Sequence, residues 1–364
     1  MTATTTTTKI MKATALLSAG ALLLGACSSS PKKPKKKAAA TTTTTRAPVC
    51  ALTGAPSPLG AIPQRSALAA KVDNYQDARP QSGLDKTDIV FEEPVEGGIT
   101  RYNAIFQCDN ADSIGPIRSA RQIDIGILGQ LGYPPLTHVG GINPVLENIG
   151  AAGIPNLDLG NFPSAITHLT TRYAPYNTYT STDQLYAIVP AGTPNTPPAP
   201  IYSYSPTAPT GTAVTSVHVP FSGNSDVTWT WAASQNAWLR FYNGTVADKN
   251  ADGVQNQAAN VIVQTVHLTY GPWLENSEGG LEVQAVLSGT TGPAIVFRNG
   301  IQVNGTWSRD AATSPTIFKD AAGAVISMAP GRTWVELVPD TVSVTSVPNP
   351  TQPTTSTSTT IKKK

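Results

Sequence analysis

Val214–Phe221 (VTSVHVPF), Val227–Trp231 (VTWTW) and Trp238–Tyr242 (WLRFY) are the runs that decide the fold. In the first two, apolar side chains recur at every second position, the spacing that places them on one face of a strand. The third is aromatic and short. Asn243-Gly244, Asp252-Gly253 and Gly279-Gly280 punctuate the region. Such pairs tolerate the left-handed backbone of tight hairpin turns. Outward from these runs, Val261–His267, Leu281–Val286, Ala294–Phe297, Trp307, Ile317-Phe318 and Thr333–Val338 continue the series. Residues 213–340 therefore predict a mostly antiparallel β domain.

Residues 49–188 have a different texture. Ala69–Val72, Ile89–Phe91 and Arg101–Phe106 read as strands. Asp112–Ile127 has helix-compatible spacing, with Gly115-Pro116 cutting its start, and Val145–Ala152 reads as a short helix after Asn143-Pro144. The expected class is α+β: a mixed α/β N-terminal domain, a Pro-rich linker or loop at 189–212, then the β-rich domain. Two further segments flank them, a Lys/Thr-rich tether at 27–48 and a Thr/Pro-rich tail at 341–364, both too polar to fold.

The N-terminus reads as an export signal over 1–26. Lys9 and Lys12 precede the apolar run Ala13–Leu24. That run is shorter than the roughly 20 residues a membrane-spanning helix needs, so a removed signal is expected. Leu24-Gly-Ala-Cys27 resembles the lipobox of bacterial lipoproteins. The resemblance implies cleavage before Cys27, acylation of its thiol and attachment to the outer leaflet of the cytoplasmic membrane, since several acyl chains hold a protein to a bilayer. Outside the cytoplasm, Cys50 and Cys108 can oxidise to a bridge; otherwise they are two unrelated thiols.

Charge is unevenly distributed. Residues 1–48 hold eight Lys/Arg and no acid, and residues 341–364 hold three Lys and no acid. The body at 49–340 has 14 Lys/Arg against 23 Asp/Glu, a net charge of −9. An acidic body speaks against nucleic acid, which requires a basic face.

One string of motifs is unusual: Lys71-Val-Asp-Asn74, Ala78-Arg-Pro-Gln-Ser-Gly83, Glu92-Glu-Pro-Val-Glu-Gly-Gly-Ile-Thr-Arg101 and Gly115-Pro-Ile-Arg-Ser-Ala-Arg121. It resembles the YerB-type lipoprotein family, also called the DUF3048 proteins. Asn304-Gly-Thr-Trp307 and Pro330-Gly-Arg-Thr-Trp334 resemble the family's C-terminal region, so the likeness spans nearly all of 50–340. It implies the two-part architecture and a function that is unsettled. This chain departs from the pattern at Pro175-Tyr176-Asn177, where Pro-His-Asn is expected.

Candidate site residues follow from these motifs. Glu93 and Glu96, beside a Gly-Gly pair, are candidate acid and base, although Glu92 and Glu93 must point to opposite faces of a strand. His138 is the candidate proton-transfer residue. The ligand-binding candidates are Asp73, Asn74, Arg79, Glu92, Arg101, Arg118, Arg121 and Asn177. On a helix, Arg118 and Arg121 would share a face and form a fork for carboxylate or phosphate. Against the glutamates and arginines stands plain ion pairing, and against His138 a structural role beside the Gly140-Gly141 turn. No His pair has metal-ligand spacing, and Gly-x-Ser-x-Gly is absent. Asp248–Gly253 matches half of a calcium loop, but Ala259 stands where its final Glu belongs. Neither metal nor cofactor is expected. The function expected is binding of an envelope polymer or partner protein; the rival is a carboxylate-dependent hydrolase or lyase acting on peptidoglycan or another glycan.

Overall fold

The computed structural model describes residues 47–275 and 279–351. The expected signal, Cys27 and nearly all of the tether lie outside the described residues, as does the tail from 352 onward. Among the described residues, no helix is long and apolar enough to cross a membrane.

Strands β1 (Leu68–Asp73), β2 (Ile89–Pro94) and β3 (Thr100–Phe106) are buried along their whole length. β3 lies between the other two and antiparallel to both, with Arg101 opposite Asp73 on one side and Glu93 on the other. Strands covered on both faces read as near-continuous apolar runs; these are interrupted by Lys71, Asp73, Glu92, Glu93, Arg101 and Asn103. β4 (Leu136–His138) and β5 (Asn156–Asp158) extend the sheet in parallel beyond β1. Helix α1 (Gln122–Gly129) precedes β4, and α2 (Asn143–Ala151), with Pro144 in its first turn, crosses from β4 to β5. The short strands β6 (Thr167–His168) and β7 (Thr178–Tyr179) form a separate ribbon. Helix α3 (Thr182–Ile188) follows, capped by the Ser181 hydroxyl accepting from the Gln184 N–H at 3.1 Å.

The second half adds β8 (Thr212–Ser222), β9 (Ser225–Ala232), β10 (Ala237–Tyr242), β11 (Val246–Ala247), β12 (Gln257–Ala258), β13 (Asn260–Val266), β14 (Leu268–Leu274) and β15 (Leu281–Ala285). β16 (Thr290–Arg298), β17 (Ile301–Arg309), β18 (Ile317–Asp320), β19 (Thr333–Pro339) and β20 (Thr345–Pro348) complete it. β14 and β15 pair only with each other. At Asn299-Gly300 both residues have positive φ (52° and 73°), as the two-residue hairpin between β16 and β17 demands. A Cβ on Gly300 would also sit 2.7 Å from the Trp231 ring.

One strand joins the halves. β19 lies between β13 and β2, parallel to both, with Trp334 beside Val90 and Glu336 beside Glu92. A single mixed sheet of 16 strands results, running from β11 through β8, β17 and β13 to β19, β2, β1 and β5. It curls back on itself. Trp229 of β9 lies 5.2 Å from Trp334 of β19, and Trp238 of β10 lies 5.7 Å from Phe297 of β16. One sheet face packs Ile89, Phe91 and Ile105 against Ile123, Ile127 and Leu128 of α1. The other packs Val90, Tyr102 and Ala104 against Trp229, Trp238 and Trp334.

The expectation of an α+β protein is corrected. Against twenty strands, the described residues hold three α-helices of seven to nine residues. The helix read over Asp112–Ile127 exists only from Gln122. Cyclic Pro116 has no N–H to give a helix, and the residues after it pair instead with β1, Ile117 bridging to Val72 and the Arg118 N–H donating to Lys71 O at 2.9 Å. Within the tail, Thr345–Pro348 pairs with β8.

Cys50 and Cys108 are bonded, joining the segment before β1 to the end of β3 across 58 residues. Closing a loop of that length removes chain entropy from the unfolded state. Reduction, or Cys108→Ala, is expected to lower the unfolding free energy by about 4 kcal/mol, read from urea curves with and without dithiothreitol. Coincident curves would show that the bridge contributes nothing.

Candidate functional site

Adjacent glutamates on β2 organise two separate polar clusters. Glu92 and Glu93 are both fully buried, and because successive strand residues alternate they enter opposite faces.

On the face covered by β8–β10, Glu92 Oε2 accepts from the Arg240 guanidinium at 2.8 Å, and Asp248 Oδ2 accepts from the same group at 2.5 Å. Glu92 Oε1 also accepts from the Thr100 hydroxyl at 2.7 Å and from Asn74 Nδ2 at 3.2 Å. Arg240 lies within 6 Å of the rings of Tyr102, Trp229, Tyr242 and Trp334, a cation enclosed by aromatic faces. Glu336, the neighbour of Glu92 on β19, accepts from Trp229 Nε1 at 2.6 Å. Burial and the adjacent Glu92 charge push the Glu336 carboxyl well above the usual range, so it is held neutral in the fold.

On the opposite face, Lys71 Nζ contacts Glu93 Oε1 and reaches Asp124 Oδ1 at 2.6 Å, with all three side chains sealed from solvent. Asp124 also accepts from Asn103 Nδ2 at 2.9 Å and, as part of the α1 cap, from the Arg121 N–H at 2.7 Å. Burial pulls Lys71 down to about 8 against the raising pull of Asp124.

Further along, Arg121 holds Glu96 through two hydrogen bonds and lies 3.3 Å from Glu275, while Arg101 stands 3.6 Å from Glu96. Burial alone would raise Glu96, but the Arg121 bonds and the Arg101 charge outweigh it and hold the carboxyl at about 2. Glu96 lines a concavity of about 310 Å³ with Phe221, Tyr270 and Leu281. A larger one, about 730 Å³, lies among 131–135, 153–155 and 190–198, and its lining carries no charged side chain.

Each of the three candidate catalytic residues is engaged by other protein groups. Glu93 is sealed with Lys71, and Glu96 is held by arginines. His138 is buried, its ring nitrogens bonded to Gly140 O at 2.8 Å and Asn156 Oδ1 at 2.7 Å. Arg118 and Arg121 do not share a helix face: Arg118 lies in extended backbone beside β1, and Arg121 is the extended N-cap of α1. Arg118 instead stands 2.8 Å from Asp73. Asn74 accepts from Arg79 at 3.3 Å and from the Tyr242 hydroxyl at 3.0 Å, and Arg79 lies over the Tyr242 ring at 3.6 Å. Asp248 is spent on Arg240 rather than on a calcium-type loop.

What sequence reasoning missed is a ledge of three tyrosines at the end of β1. Tyr75 stacks on Tyr176 with centroids 6.3 Å apart, and Tyr173 meets Tyr176 edge-on at 5.6 Å. Tyr173 is 64% exposed and Tyr75 40%. Arg172 staples the two contributing loops together by donating to the carbonyls of Asp77 (2.6 Å) and Pro80 (2.9 Å). Asn177 closes the base of its loop, its carbonyl accepting from the Leu169 N–H at 3.0 Å. Arg118 projects toward Tyr176, 5.7 Å from the ring centroid.

Two family models match this chain, the N-terminal domain of the protein of unknown function DUF3048 over residues 52–194 and its C-terminal domain over 217–335. The chain belongs to the DUF3048 family. Among curated relatives, the candidate lipoprotein YerB of Bacillus subtilis (strain 168) is 27% identical over 298 residues, covering 77% of this chain and 83% of its own. The crystal structure of the Bacillus subtilis YerB protein aligns with a TM-score of 0.70 at 23% identity, covering 82% of this chain and 99% of that one. That likeness shows a shared fold for the DUF3048 body.

The neutral Glu336 gives the fold a pH signature. In the unfolded chain Glu336 ionises above about 4.5, while in the fold it keeps its proton, so the native state binds more protons and stability falls as pH rises. Glu336→Gln keeps an acceptor for Trp229 and removes the titration. Urea midpoints measured from pH 4 upward should show the variant gaining steadily on the wild type; a pH-independent difference would mean that Glu336 is not held neutral.

Proposed function

We propose that this protein is a lipid-anchored, extracytoplasmic binding protein that holds a glycan of the cell envelope on the tyrosine ledge. The observation that carries the reading is the ledge itself: exposed Tyr75 and Tyr173 flank half-buried Tyr176 beside the Asp73–Arg118 pair, with the loops stapled by Arg172. Aromatic side chains fixed in place bind ring-shaped ligands at little entropic cost, and flanking charged groups orient them. Arg118, partly exposed, would serve hydroxyl or carbonyl groups of the polymer, held in place by buried Asp73. Glu93 and His138 are sealed from solvent, which favours binding over glycan cleavage.

Placement outside the membrane is supported by the Leu24-Gly-Ala-Cys27 motif, the name carried by the Bacillus subtilis relative and the Cys50–Cys108 bond. Bridges of this kind persist in oxidising compartments. The lysines of the tether would lie against anionic headgroups, and the acidic body would stand away from them.

The test is co-sedimentation of the full chain, in detergent, with purified cell-wall sacculi. Tyr173→Ala and Arg118→Ala should each weaken retention roughly tenfold, as expected for aromatic and arginine anchors. Separately, Cys27→Ala should move the chain out of the membrane fraction. Unchanged retention by both ledge variants would overturn the ledge as the binding surface, and unchanged fractionation of Cys27→Ala would overturn the anchor.

A further inference from the structure

Lys71, Glu93 and Asp124 form a sealed group that no binding role uses. We propose that Lys71 and Glu93 react with each other to form an intramolecular amide cross-link, with Asp124 as the proton carrier. The site is a modification site built into the sheet: Lys71 is on β1, Glu93 on β2, and the bond would span β3 between them.

Three observations select these partners. First, Lys71 Nζ contacts Glu93 Oε1, and all three side chains are fully buried, so the reacting atoms are held together without water. Such enforced proximity replaces the encounter that amide formation between free groups would require. Second, the two carboxylates differ. Asp124 has both oxygens engaged, Oδ1 by Lys71 and Asn103 and Oδ2 by the Arg121 N–H. Glu93 Oε2 is buried with no hydrogen-bond partner. That oxygen is free to remain as the amide carbonyl. Third, burial together with the charges of Arg101 and Arg121 lowers Lys71 to about 8, so the amine gives up a proton more readily than a solvated lysine.

The step balances without a further reactant. The Lys71 ammonium passes one proton across its contact to Glu93 Oε1, giving a neutral amine and a neutral acid. The nitrogen lone pair attacks Cδ of Glu93, forming the C–N bond. Asp124, 2.6 Å from the nitrogen, takes a second nitrogen proton and returns it to the hydroxyl at Oε1. The C–Oε1 bond then breaks, water departs and the carbonyl re-forms at Oε2. Two buried opposite charges become one neutral amide, which removes the desolvation penalty of the ion pair.

Peptide mass spectrometry decides it. The full chain, extracted from membranes, is denatured, reduced and digested with trypsin. The cross-link blocks cleavage after Lys71, so 66–86 should appear joined to 87–101, lighter by one water than the two peptides together. Glu93→Ala should give separate peptides and restore cleavage after Lys71, and Asp124→Asn should sharply reduce the joined species. Where a variant does not fold, the wild-type digest alone decides. Separate peptides from the wild type, cut after Lys71, would overturn the proposal. Joining of Lys71 to 122–172, which carries Asp124, would overturn the choice of Glu93.

Discussion

A carboxylate on a strand covered from both sides must find a cation or keep its proton, because an unpaired buried charge is prohibitively costly. Strand β2 carries two such groups in succession, and the solution to that problem shapes the molecule. Glu92 takes Arg240 from β10 and Glu93 takes Lys71 from β1, so each neighbouring glutamate fixes a different layer. Glu336 arrives beside Glu92 on β19 and resolves the conflict by staying protonated against Trp229. The insertion of β19 beside β2 and the folding of β10 over it are thus matched in charge as well as in shape.

Much of the strand series was legible. The runs around Val217, Trp229 and Trp238 alternate or carry large aromatics, and the turn pairs between them are chemically distinctive. What could not be read was pairing. Nothing in Thr333–Pro339 announces that it lies between β13 and a strand more than 240 positions earlier; only its unbroken burial, seen afterward, accounts for its apolar character. The helix read over Asp112–Ile127 was overridden by Pro116 and by the open edge of β1, to which 117–118 attach. Local spacing favoured a helix, and tertiary pairing won.

The site divided along similar lines. The motif carboxylates and arginines were recognisable as charged residues in unusual surroundings, and the opposite facing of Glu92 and Glu93 follows from strand geometry alone. Their partners were not recognisable, because Arg240 and Glu336 come from distant strands. A signal did exist: each is a lone charge inside an apolar strand, Arg240 in AWLRFY and Glu336 in TWVELVP. The tyrosine ledge left no such trace, since its residues come from two loops about 100 positions apart, joined by the Arg172 bonds and the Tyr75–Tyr176 stack. The sealed ion pairs and the exposed ledge divide the labour, the first holding the sheet and the second facing outward.

If the buried charges of β2 tie the first half of the chain to the second, the two must lose structure together. Native-state hydrogen exchange with increasing urea, followed by mass spectrometry of peptides from 89–106 and 237–266, tests this directly. The account predicts that both regions lose protection at the same urea concentration, in one cooperative event. Two transitions, with the β10–β13 region opening while β2 and β3 stay protected, would contradict it.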